Sequence, residues 1–184
     1  MAAKIKVDQI ETVDGSGTIA LQNQLSGMTT ASLPTLTSAI MPAGSVLQVV
    51  QATTNTGVVV ASSTYTSIGA SASITPSSTS SKILIINNAG GMGYNTDSVA
   101  LRIKRDSTEI LVQGRHSYNS SANWVANSFT LNYLDSPNTT SSVTYSFEVK
   151  VQNSGSTGQI EYNSSQGPYS NVNGAVTILM EIAG

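Results

Sequence analysis

The chain has no cysteine, a single histidine (His116), a single tryptophan (Trp124) and few charges, with 10% of its residues Asp, Glu, Lys or Arg. Without cysteine there are no disulfides, no thiolate nucleophile and no cysteine-based zinc site. The net charge is −2, and no basic cluster exceeds Arg102, Lys104 and Arg105. Nucleic-acid binding requires many phosphate-neutralising cations, so no nucleic-acid partner is expected. The opening MAAKIKVDQIETVDGSG lacks the apolar core of a secretory signal. No run approaches the ~18 apolar residues that span a bilayer. The longest apolar runs, such as Ile83-Leu84-Ile85-Ile86, have only strand length. The expectation is synthesis in the cytosol, with no membrane insertion.

What is present points to β structure. Ser and Thr together make up more than a quarter of the chain, Asn is abundant, and Lys and Glu are scarce. A Ser/Thr/Asn surface over Val, Ile and Tyr suits pleated strands rather than helices. Apolar residues form 39% of the chain and come in spaced runs, unlike a disordered segment.

Residues 1–43 differ from the rest. Ile5, Val7, Ile10, Ile19, Leu21, Leu33, Leu36 and Ile40 are scattered among turn formers without a period of 2 or 3.6. Such a segment cannot bury a face within its own chain, yet holds too many apolar groups for a plain linker. It is expected to be an extended arm ordered by partner chains, with Ile5, Val7, Ile10, Ile19 and Leu21 as its anchoring residues. Residues 44–184 form the head.

In the head, Val143, Tyr145, Phe147, Val149 and Val151 alternate with Thr144, Ser146, Glu148 and Lys150, as in a half-buried antiparallel strand. Val99, Leu101 and Ile103 alternate likewise, and Asp106-Ser107 predicts a turn back into Glu109–Val112. Val125, Phe129, Leu131 and Tyr133 give another strand. Val176, Ile178, Met180 and Ile182 give the last, set against Thr177, Leu179 and Glu181. Gly90-Gly91-Met92-Gly93 lacks the Lys-Ser/Thr of a phosphate loop and reads as a connection between Ile86 and Val99. About nine or ten short strands predict an all-β, antiparallel sandwich or jelly roll.

The inventory for catalysis is thin. His116 has no nucleophile elbow beside it, and Asp97, Asp106 and Asp135 fall in expected turns, where Asp bonds the backbone. No paired-acid, calcium-loop or transition-metal pattern exists. No catalytic residue, metal or cofactor is expected. Residues 114–124 (GRHSYNSSANW) and 163–173 (NSSQGPYSNVN) read as loops that mix aromatics with Asn, Ser and Gly. That composition suits adaptable polar recognition and stacking on sugar rings. Arg115, His116, Tyr118, Trp124 and Tyr169 are therefore the candidate ligand- or receptor-binding residues. The alternative for Tyr118 and Trp124 is a place in the core.

The chain resembles virion structural proteins of tailed bacteriophages, of the fibre or spike type. The carriers are Lys4-Ile5-Lys6-Val7-Asp8-Gln9-Ile10, Gly17-Thr18-Ile19-Ala20-Leu21 and Pro42-Ala43-Gly44-Ser45-Val46-Leu47-Gln48-Val49. To these are added Ser81-Lys82-Ile83-Leu84-Ile85, Tyr133-Leu134-Asp135-Ser136-Pro137 and the Val176–Ile182 strand. The resemblance implies an N-terminal anchor on other virion proteins of tail or capsid, and a homotrimer built on a tumour-necrosis-factor-like head. It also implies attachment to the host surface, with a surface glycan as one ligand class. The alternatives are a capsid decoration or cement protein and a non-catalytic carbohydrate-binding module.

Overall fold

Strict alternation makes Val143–Val151 the reference strand of the head, with Val143, Tyr145, Phe147, Val149 and Val151 buried and the residues between them partly exposed. The computed structural model describes residues 41–54, 58–94, 97–119, 125–152, 160–162 and 175–184. Its elements are β1 (Val46–Thr54), β2 (Val58–Val60), β3 (Thr66–Ile74), β4 (Lys82–Tyr94) and β5 (Asp97–Arg105). They continue with β6 (Thr108–Asn119), β7 (Val125–Asp135), β8 (Val143–Val151), β9 (Ile160–Tyr162) and β10 (Ala175–Ile182). Among the described residues every regular element is a strand, as the composition predicts.

The strands form two antiparallel sheets. One runs β1-β10-β4-β7, and the other β3-β8-β5-β6. The short strands β2 and β9 prolong two lanes of the first sheet. Register shows this, because β4 pairs through Val176↔Asn88 with β10 and through Met92↔Tyr162 with β9. In the next lane Thr54 faces Ala175 and Val58 faces Tyr162. Numbering lanes along the chain, the first sheet reads 1-8-3-6 and the second 2-7-4-5. That is the strand order of a jelly roll, two Greek keys folded over each other. The fold expectation therefore holds.

Between the sheets lie Ile68 and Ile74 of β3, Ile83 and Ile85 of β4, and Leu101 and Ile103 of β5. Phe129 and Leu131 of β7, Phe147 and Val149 of β8, and Leu179 of β10 complete this layer. At roughly 25 cal/mol per Å² of apolar surface removed from water, this layer is the main source of stability.

Two sequence expectations are corrected. The Gly90–Gly93 stretch is not a connection but part of β4, paired with β7 and β9. Three steps from Asn88 to Gly91 face two from Thr130 to Ser128, so β4 carries a bulge there, which glycine tolerates at little steric cost. Residues 114–119 are likewise strand rather than loop, with Tyr118 opposite Ser98 and Ser117 opposite Val99. In β10 the buried face is Ala175, Thr177, Leu179 and Glu181, while Val176, Ile178, Met180 and Ile182 point outward and stay half-exposed. Thr177 tolerates the interior because its hydroxyl accepts a bond from Asn87 Nδ2 at 2.9 Å.

The Asp106 turn forms as expected, with Arg105 opposite Thr108 and Asp106 in the left-handed region at φ 52. Gly69 also needs that region, at φ +73, where the pairing of β3 with β8 is irregular between Ser67 and Ser71. A Cβ added there would meet only Thr54 Cγ2 at 3.5 Å, an ordinary contact. Gly69→Ala should thus cost only the backbone term, about 1 kcal/mol, measurable by urea unfolding. A loss several times larger would show that the position is sterically closed.

Candidate functional site

Three polar clusters organise the described part of the head. The first covers the outer face of the β3-β8-β5-β6 sheet. Arg102 donates to Glu148 at 2.6 Å and to Glu109 at 3.0 Å, and Lys104 lies 3.7 Å from Glu148. Tyr65 lies under two cations, with Arg102 at 4.2 Å and Lys150 at 4.7 Å from its ring centre. Burial, and then the Glu109 carboxylate, hold its hydroxyl above the ordinary tyrosine range. This is a solvated ion network, and such pairs contribute about 0–1 kcal/mol each.

The second cluster joins the two sheets at one end of the sandwich. Asp135 closes β7 in the first sheet, and Arg105 and Tyr145 lie on β5 and β8 in the second. Arg105 donates to both carboxylate oxygens of Asp135, at 2.9 and 2.7 Å, and the Tyr145 hydroxyl donates to Oδ2 at 2.7 Å. Burial, followed by the bond and charge of Asp135, pushes the Tyr145 hydroxyl far above its ordinary range. It therefore stays a neutral donor. Burial alone would lower the Arg105 value, but the bond and charge of Asp135 outweigh it and raise it. The turn expectation for Asp135 is corrected: its carboxylate serves side chains of the opposite sheet.

The third cluster was not visible in the sequence. Glu181, on the inward face of β10, is fully buried. Its Oε1 accepts from the Ser77 amide, the Ser77 hydroxyl and the Ser81 hydroxyl, each at 2.7 Å, and Oε2 accepts from Gln48 Nε2 at 2.6 Å. The same amide of Gln48 also donates to the Thr75 carbonyl at 2.7 Å. Burial alone would raise the carboxyl pKa, but the bonds from Ser81, Ser77 and Gln48 together hold it below the usual carboxylate value. A signal did exist in the sequence: one acid in an otherwise apolar strand, and one serine-rich loop (Pro76–Ser81) in need of an acceptor.

Beside this cluster opens a cleft of about 310 Å³ lined by Met41, Leu47, Ser77, Ser78, Ser80, Ser81, Ala183 and Gly184. Its serines are already engaged, Ser77 and Ser81 with Glu181, and Ser78 with Ser80 at 3.0 Å. A carboxylate held below its usual range is also a weak base toward a serine hydroxyl. The arrangement anchors a loop. Among the described residues, no group of three or more His, Cys, Asp or Glu is placed to hold a metal, and no helix is long and apolar enough to cross a membrane.

Of the residues expected to bind a ligand, Arg115, His116 and Tyr118 fall on β6, an edge strand, where the backbone alone is described. Trp124 and Tyr169 lie outside the described residues, as do the arm residues Ile5, Val7, Ile10, Ile19 and Leu21. The strand ends that lead toward residues 95–96, 120–124 and 153–159 gather at one end of the sandwich, through Asp97↔Asn119, Tyr94↔Val125 and Tyr94↔Ile160. Tyr162 and Ala175, which flank residues 163–174 in the chain, both lie in lane 8.

The described head is thus an all-β jelly roll with structural polar clusters. No protein-family model and no curated protein matches the chain. Among solved structures it is similar to the particle of infectious bursal disease virus, Gt strain (TM-score 0.38, 11% identity, 74% of this chain and 38% of that chain). It is also similar to the VP2 subviral particle of the same virus (TM-score 0.40, 12% identity, 74% of this chain and 37% of that chain). The chain spans less than two fifths of the length of either.

Proposed function

We propose that the chain is a non-catalytic structural protein of a virion. In this reading it is a short tail or capsid fibre or spike of a tailed bacteriophage, homotrimeric, anchored by residues 1–43 and presenting the head to the host surface. The observation that carries the proposal is the 1-8-3-6 and 2-7-4-5 strand order. Viral capsid and lectin domains are among the proteins built this way. The arm's coreless apolar pattern supports assembly with other chains, and the clusters around Asp135 and Glu181 support a rigid head.

The test is particle composition. Particles assembled with a chain lacking residues 1–40 should lose the protein while the free chain keeps the strand signal of the head in circular dichroism. Undiminished incorporation would refute the anchor role. Imaging of labelled head separates a distal fibre from a cement protein lying flat on the shell.

A further inference from the structure

The cations on the outer face of the β3-β8-β5-β6 sheet are not equally committed. Arg102 is held by Glu148 and Glu109, and Lys104 lies against Glu148. Lys150 has no carboxylate beside it among the described residues, and its ammonium lies 4.7 Å from the centre of the Tyr65 ring. The Tyr65 hydroxyl stays protonated and likewise has no hydrogen-bond partner among the described residues. Two neighbouring donors are therefore unspent on a face whose other cations are paired.

Register sets these donors in one row across the sheet. Thr66 pairs with Val149, which puts Tyr65, the residue before β3, beside Lys150. Lys150 pairs with Ala100, and Ala100 faces a bulge in β6. Two steps from Val99 to Leu101 face four from Gln113 to Ser117, so Gly114, Arg115 and His116 together oppose Ala100. Such bulges take an edge strand out of its ladder and are over-represented beside functional sites. A Cβ added to Gly114 would meet nothing within 4 Å, so the backbone there borders open space. The row ends on Arg115 and His116, two residues whose sequence surroundings already suggest ligand binding.

We propose that this row binds a uronic-acid sugar of an acidic polysaccharide, with Lys150 Nζ and the Tyr65 hydroxyl donating to it and the β6 bulge bordering the ligand. A carboxylate takes a charge-assisted bond from the ammonium, which a neutral sugar cannot offer. A phosphate-rich polymer needs many cations, whereas this face sets three (Arg102, Lys104 and Lys150) against the acids Glu109 and Glu148. Sugar hydroxyls find Ser71 and Ser146, paired on the same face. The inference takes its place in biology from the reading of the head as the part that meets the host surface.

The experiment is electrophoresis of the full-length chain through gels containing polygalacturonate, alginate, hyaluronate or neutral dextran, with affinities from calorimetry. The wild type should be retarded by at least one uronate polymer and not by dextran. Lys150→Gln should weaken that binding about tenfold and Tyr65→Phe about threefold, both with the strand signal intact. Lys104→Gln removes a cation already committed to Glu148 and should change little. Should a variant fail to fold, acetylation of Lys150 in the wild type reads the same group, and bound polymer should slow it. Retardation by none of the three uronate polymers overturns the assignment. Equal losses in Lys104→Gln and Lys150→Gln overturn it too, since binding is then diffuse attraction. Particles carrying Lys150→Gln separate the site from its use. Weakened polymer binding with undiminished adsorption to host cells keeps the site and sinks host attachment. Head-dependent adsorption without polymer binding keeps host attachment and sinks the site.

Discussion

Glu181→Ala is expected to cost about 3–5 kcal/mol of unfolding free energy, because the Ser77 amide and the Ser77 and Ser81 hydroxyls lose their described acceptor, Gln48 keeps only its bond to the Thr75 carbonyl, and the serine-rich loop loses its tie to β10. For a chain of this size that corresponds to a fall in Tm of about 10 °C, readable by calorimetry. Glu181→Gln should be milder near neutral pH, since one amide oxygen still accepts. It should differ most in its pH dependence. The folded carboxyl sits below the ordinary glutamate value that the unfolded chain keeps, so the unfolded chain takes up a proton first on acidification. The stabilisation is fully present above that unfolded value and is lost as pH falls through the lower folded value. The wild type should therefore lose more stability than Glu181→Gln as the pH falls through and below the ordinary glutamate range. Parallel acid limbs for the two would show that the carboxylate charge contributes nothing.

Asp135→Ala should be the other severe substitution, at about 2–4 kcal/mol, below the cost for a fully buried pair because the Arg105 side chain is 24% exposed. It strips the Tyr145 hydroxyl of its acceptor and leaves Arg105 with only its 3.4 Å bond to the Ser136 carbonyl. Tyr145→Phe removes donor and demand together, so it should cost about 1 kcal/mol. In a double-mutant cycle, Tyr145→Phe should cost nothing further, or even gain, in the Asp135→Ala background. Fully additive losses in chemical denaturation would mean that the two residues do not act through each other.

The sequence exposed the parts of the fold in which one rule dominates. In β8 one face is apolar and the other polar without exception, and the burial follows it residue by residue. In β10 both faces are apolar in part, so alternation fixes a strand but cannot say which side is core. The three-dimensional answer there depends on Asn87 reaching Thr177 and on Ser77, Ser81 and Gln48 reaching Glu181, partners 90 to 133 residues away. The full length of β4 is hidden for a related reason: glycines that punctuate loops also permit bulges, and only the pairing with β7 distinguishes the two. The polar clusters were illegible because each is assembled from elements remote in the chain. Asp135 has the sequence surroundings of a turn residue, and only the fold brings Arg105 and Tyr145 of the other sheet against it.

The pairing of β1 with β10 has a consequence for biogenesis. Among the described residues β1 pairs with β10 alone, and Val46 meets Ile182, a sequence separation of 182 − 46 = 136 residues. A nascent chain that has exposed β1 must wait for residues 175–182 before that strand finds its seat, and such non-local closure is slow. Chains broken off before residue 175 leave both β1 and the β10 side of β4 open to adhesion. β10 thus acts as the latch of the head, and only a chain synthesised past Ile182 can close it.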